Sequence, residues 1–107
     1  MEFKVILSED AENDLFDIYY YVATEDSFEK ADKLRDKLLA AVSTLSKFPL
    51  RGHKVREIFD TDPILLEIIK DKYRIIYEIE EKIVVVHAIL DGRRNLLVLL
   101  SERFLRW

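Results

Sequence analysis

Guanidinium groups are the chemistry this chain has to offer. Arg74 sits inside an apolar run between Tyr73 and Ile75, and Arg93 and Arg94 directly follow a second such run. Arg56 stands with Arg51, His53 and Lys54 in the segment after Pro49. A planar fork of N–H donors matches a carboxylate or a phosphate, so these residues suit contact with a phosphodiester or an acidic protein surface. Two readings of Arg74 stay open. It either serves a site at the rim of a sheet or forms a structural ion pair with Glu78 or an acid on a neighbouring strand. Arg93 and Arg94 equally fit turn charges ahead of a helix, and Lys54, Lys70 and Lys72 read as solvated.

Other chemistries fail on residue supply. A phosphate-cradling loop needs several glycines for close approach of backbone amides, and Gly52 and Gly92 are the only two. His53 and His87 are the only histidines and there is no cysteine, so no ligand spacing for a metal exists and neither a metal nor a cofactor is expected. None of Ser8, Ser27, Ser43, Ser46 or Ser101 lies in a nucleophile elbow. His87 interrupts an apolar strand and reads as a hydrogen-bonded core histidine. Tyr19, Tyr20 and Tyr21 point in three directions on a helix, so they divide between core and surface instead of forming a stacking stripe.

Charge restricts the partners. The formal net charge is −4, and residues 1–48 carry eleven acids against six bases. Nonspecific nucleic-acid binding, which draws on many phosphate contacts, is disfavoured. The absence of cysteine suits a reducing compartment. Met1 to Ser8 does not read as a signal peptide, and no apolar run approaches the roughly 20 residues that span a bilayer. A soluble cytoplasmic protein is expected.

The elements that must position these arginines follow from periodicity. Phe3, Val5 and Leu7 alternate as a short strand, and Ser8 is placed to cap a helix in which Ala11, Leu15, Ile18 and Val22 recur, to about Thr24. Ser27 is placed to cap a second helix carrying Ala31, Leu34, Leu38, Ala41 and Leu45, with Pro49 as its stop. The apolar stripe of such a hairpin needs a sheet to cover it. Strands are predicted at Val55–Phe59 and Ile64–Ile69 around an Asp60–Pro63 turn, then at Tyr73–Ile79 and Ile83–Leu90. The last is apolar on both faces and suits a central strand. Asn95 is placed to cap a closing helix with Leu96, Leu99, Leu100 and Phe104 on one stripe. The expectation is a single α+β domain over residues 1–107: a two-helix hairpin packed on a mostly antiparallel sheet of four to five strands, with a short C-terminal helix.

This pattern resembles the ParE/RelE superfamily of toxins from bacterial type II toxin–antitoxin pairs. The resemblance rests on the first strand, the helix through Ala11, Asp14, Leu15, Asp17, Ile18 and Tyr21, then Ala31, Pro49, Gly52, Tyr73 to Tyr77, and Asp91 to Leu96. It implies one of two activities. RelE-like members cut mRNA on the ribosome, and ParE-like members bind DNA gyrase and block it without a hydrolytic centre. Arg74 and Arg94 match the two arginines of RelE-like nucleases. The tyrosine those enzymes carry in the following helix is Leu100 here, and their lysines fall at apolar or acidic positions around Leu66 to Ile68. Lys70, His53, Tyr77 and His87 are the groups left to act as acid or base.

The ParE-like branch is therefore favoured, with Arg74, Arg93, Arg94 and Arg56 as target-contact candidates and no confident catalytic residue. The resemblance also implies a cognate antitoxin that covers exposed apolar surface. A ribosome-dependent mRNA endoribonuclease is the alternative, and an inactive homologue that only binds its antitoxin is a second one.

Overall fold

The computed structural model describes residues 2–58 and 64–104. Strand β1 (Lys4–Leu7) leads into helix α1 (Glu9–Glu25), whose first amides are met by Ser8: its hydroxyl accepts from the Ala11 N–H. Ser27 does the same for α2 (Phe28–Ser43) through Lys30 N–H. The helices are tied by the Tyr19 hydroxyl, which donates to Asp32 at 2.7 Å, while Arg35 lies over the Tyr19 ring. Tyr20 and Tyr21 are exposed, and Tyr19 is half-buried between the helices without joining either core, so the expected surface share is found and the core share is not.

Helix α2 ends well before Pro49. Ser43 and Thr44 donate their hydroxyls to the carbonyls of Ala40 and Ala41, a local competition that closes the last turn into a 3-10 segment at Thr44–Ser46. The strand expected at Val55–Phe59 is also corrected. Strand β2 is only His53–Lys54, and Arg56–Ile58 form a 3-10 turn. Val55 is fully buried and its N–H donates to Leu65 O, after which the chain leaves the ladder. The spacing of Val55 and Ile58 fits a three-residue period better than strand alternation. The expected Asp60–Pro63 turn and Phe59 lie outside the described residues.

Strands β3 (Leu66–Lys70), β4 (Tyr73–Glu80) and β5 (Ile83–Asp91) form a meander, and the sheet order is β1-β5-β4-β3-β2. All pairings are antiparallel except β1 with β5. The apolar β5 is thus interior, as its composition requires. The two hairpin turns of the meander start at Asp71, between β3 and β4, and at Glu81, between β4 and β5, both with positive φ, the geometry that matches strand twist.

Both faces of the sheet are covered. Helices α1 and α2 close one core with Leu38, Leu45, Ile75, Tyr77, Val84, Val86 and Ile89. Helix α3 (Leu96–Phe104) closes another with Leu96 and Leu100 on Val55, Leu65, Ile76, Ala88 and Leu90. Asn95 caps α3 by accepting from Val98 N–H. A bulge makes this possible: Ile76 pairs with Ala88 and Tyr77 with Val86, leaving His87 as the extra residue. The face alternation of β5 therefore shifts, from Val84 and Val86 on the hairpin side to Ile89 on that side and Ala88 and Leu90 on the other.

Candidate functional site

On the α3 face, β4 alternation projects Arg74, Ile76 and Glu78 together, since Tyr73, Ile75 and Tyr77 belong to the opposite core. Arg74 does not pair with Glu78. Its NH1 and NH2 donate to Glu57 at 2.8 and 2.9 Å, and its Nε and NH2 donate to Glu67 at 3.0 and 2.5 Å. Glu67 stands opposite Ile76 in the β3–β4 register, diagonal to Arg74 and within reach across the strands. The 3-10 turn at Arg56–Ile58 delivers Glu57. The hydrogen bond from Arg74 pulls the Glu57 carboxyl below its ordinary pKa, and the two carboxylates raise that of Arg74.

Arg74 lies in an open cleft of about 470 Å³ with His53, Arg56, Glu57, Glu67 and Lys72 on its walls. Arg56 therefore shares the Arg74 cleft, whereas Arg93 and Arg94 do not. Those two line a second cleft of about 340 Å³ with Asp17, Tyr21 and Asp91, and Lys72 borders both. The Asp91 to Asn95 turn is built by Asp91, whose carboxylate accepts from the Arg93 backbone N–H at 2.9 Å and from its guanidinium at 3.3 Å. These bonds hold the Asp91 carboxyl at about 2. Arg94 is exposed and, among the described residues, has no side-chain partner.

The four groups left to act as acid or base are scattered. Tyr77 is buried in the hairpin-side core, donates to Pro49 O at 2.6 Å and accepts from Gly52 N–H at 3.1 Å. Burial pushes its phenol pKa up. It anchors the 49–52 loop so closely that a Cβ on Gly52 would lie 2.5 Å from its hydroxyl. His87 faces Glu78 at 2.5 Å, the hydrogen-bonded histidine the sequence suggests. Lys70 follows Leu66 and Ile68 on the hairpin side of β3. Only His53 reaches the Arg74 cleft, 3.9 Å from Glu67. Leu100 is buried core and offers no proton.

Four residues carry roles that the sequence reading does not assign to them by name. Glu67 is the lone acid in the Ile64–Ile69 run, and an acid at a buried position needs a cation. Glu57 reaches Arg74 only through the 3-10 turn at Arg56–Ile58, which strand alternation does not signal. Asp14 and Arg103 form a third pair: Arg103 donates to Asp14 at 2.6 and 2.9 Å and to His87 O at 3.2 Å, and Asp14 also accepts from Ile89 N–H at 2.9 Å. Because β1 ends at Leu7, opposite Val86, these side chains take over the backbone groups of β5 where its parallel neighbour runs out. Both sit in apolar stripes, Asp14 three after Ala11 and Arg103 three after Leu100, which was the signal available.

Comparison with known proteins fits this architecture. No curated protein matches the chain. A chromosomal ParDE toxin–antitoxin system from P. aeruginosa contains a chain that superposes with a TM-score of 0.68 at 17% identity, over 82% of this chain and 94% of that one. A chain of the RelBE2 toxin–antitoxin complex from Mycobacterium tuberculosis gives 0.61 at 18% identity, over 83% and 96%. At such identities the likeness speaks for the fold. Residues 5–96 match the family model described as ParE toxin of type II toxin-antitoxin system, parDE, and the chain accordingly belongs to the ParE family of type II toxins.

Proposed function

We propose that this toxin acts by binding its target protein, DNA gyrase, without cutting nucleic acid, and that a cognate antitoxin neutralises it. The observation that carries this reading is the state of Arg74. A nuclease needs a guanidinium free to meet the crowded phosphate, together with an acid and a base beside it. Here Glu57 and Glu67 occupy the fork of Arg74, and Glu67 falls among the positions where RelE-like enzymes carry lysine. Arg94, exposed in the turn between β5 and α3, is the better contact for an acidic surface of the target.

Antitoxin binding is supported by the unburied apolar surface. Phe16 and Tyr20 stack on the outside of α1, and Leu97 and Val98 are exposed on α3. A gyrase target places the toxin in the cytoplasm; among the described residues no helix is long and apolar enough to cross a membrane.

Incubation with gyrase and relaxed DNA should abolish supercoiling or trap cleaved complexes, and transcripts in a translation extract should stay intact. Cut transcripts with unimpaired gyrase would replace this reading with the mRNA endoribonuclease one, for which His53 beside Glu67 is the supporting feature. Neither effect, with antitoxin binding retained, would leave the inactive homologue.

A further inference from the structure

Two carboxylates hold Arg74, and they are not equivalent. Glu67 is inside the β3 ladder with its side chain 3% exposed, so it cannot leave without unpairing the strand. Glu57 stands on a single 3-10 turn with its side chain 32% exposed. It covers the outer edge of the guanidinium, bonding NH1 and NH2 in parallel as an external carboxylate would. Around that edge the cleft adds Arg56, His53 and Lys72, and among the described residues Arg56 has no carboxylate bound to it. Asp71 is also on the wall, 4.0 Å from Lys37.

We propose that the Arg74 cleft is a carboxylate-receiving site whose resident occupant is Glu57, exchanged for an acidic side chain of a protein partner on docking. The exchange replaces two bonds with two of the same kind, so the opening of one short turn is its main cost. A carboxylate is favoured over a phosphate because Glu67 stays in place against the same guanidinium. A second negative charge on the ligand would then face a fixed, buried one at short range. The depressed Glu57 pKa agrees with a carboxylate that stays ionised while it occupies the fork. This deepens the reading of the toxin as a protein-contact inhibitor and rests on it for the source of the acid, while the site itself is testable without gyrase.

The direct readout is the Arg74 Nε–Hε resonance in ¹⁵N-labelled full-length protein, titrated with sodium acetate and separately with inorganic phosphate at constant ionic strength. Tethered Glu57 competes at an effective concentration of about millimolar or above. Glu57→Ala should therefore lower the half-saturating acetate concentration about tenfold or more, with the backbone spectrum otherwise unchanged. Glu57→Gln, which keeps the side-chain shape, serves if the alanine variant does not fold, and should shift the titration the same way. An Arg74 signal that responds to acetate equally in wild-type and variant protein, or in neither, overturns the proposal. Tighter saturation by phosphate than by acetate overturns the carboxylate assignment and points to a nucleic-acid ligand. Loss of gyrase inhibition plays no part in these outcomes, so failure of the site and failure of the functional reading are separable.

Discussion

Replacing Asp14 by alanine tests how the three layers are held. The substitution removes the acceptor for Ile89 N–H and strands Arg103 near a buried strand. The two side chains are 8% and 14% exposed, close to the buried limit at which removing one partner costs about 3–5 kcal/mol. Arg103 retains His87 O and some access to water, which places the expected loss at the lower end, about 3 kcal/mol. Asp14→Asn keeps an oxygen for Ile89 N–H and gives up only the charge, so about 2 kcal/mol is expected.

The assay is urea unfolding followed by far-UV circular dichroism for D14A, R103A and the double variant. With an unchanged slope of about 1–3 kcal/mol/M, the D14A midpoint falls by roughly 1–3 M. The double variant should cost about 1–3 kcal/mol less than the sum of the singles, because the second removal takes away a group already stranded. Single effects that add to within about 0.5 kcal/mol would show that the pair does not form in solution, and the clamp would be refuted.

Glu81→Gly should stabilise the protein by about 0.5–1 kcal/mol, since relief of a positive φ outweighs the entropy glycine adds to the unfolded chain, and calorimetry should show a melting temperature higher by a few degrees. Gly52→Ala should cost about 2–3 kcal/mol in the same assay, and Tyr77→Phe should not rescue it, because the new Cβ also lies 2.6 Å from the Glu67 carbonyl oxygen. Asp91 has a pKa lowered from 3.8 to about 2 by Arg93, so its contribution is present above 3.8 and lost as pH falls through about 2; Asp91→Asn should flatten that part of the stability profile measured by denaturant melts. Arg94→Ala should leave stability within about 0.5 kcal/mol yet relieve growth inhibition, and full toxicity in a normally expressed R94A strain would remove Arg94 from the target contact.

The fold was legible wherever burial imposed a period. Ser8, Ser27 and Asn95 cap the helices they were expected to cap, and the two-sided apolar composition of Ile83–Leu90 identified an interior strand. The failures have local causes. The five residues from Val55 to Phe59 alternate too imperfectly to separate a strand from a 3-10 turn, and only the tertiary pull of Val55 into the α3-side core decides. Pro49 marks the latest possible end of α2, but the hydroxyls of Ser43 and Thr44 close the helix before the chain reaches it.

The candidate site was less legible, because arginine carries the same sequence signal whether it is free or paired. Arg74 stands out in the sequence, and of its two ion-pair readings the acid on a neighbouring strand holds, as Glu67 of β3, while Glu78 does not pair with it and Glu57, seventeen residues away, joins from the 3-10 turn. Asp14 and Arg103 carry a sequence signal of their own. A charged residue at a stripe position of an amphipathic helix requires an opposite charge elsewhere, and these two stripes supply one of each sign.

The length of α3 explains why the charges lie where they do. The nine described residues of α3 extend about 13 Å, while five strands at about 4.8 Å spacing span about 19 Å, so these nine residues cannot shield the whole face they pack on. Its apolar footprint on this face includes Ile76, Ala88 and Leu90. Around that footprint the face is tiled with matched charges: Arg74 with Glu57 and Glu67 toward β3, and His87 with Glu78 across β4 and β5. Leaving those positions apolar would expose a patch prone to association, and leaving them singly charged would strand a half-buried ion. Paired charge is the arrangement that satisfies both conditions at the margin of a short helix. It also means that the guanidinium best placed by the sheet for chemistry is the one most constrained by it, which is why a partner can reach Arg74 only by displacing Glu57.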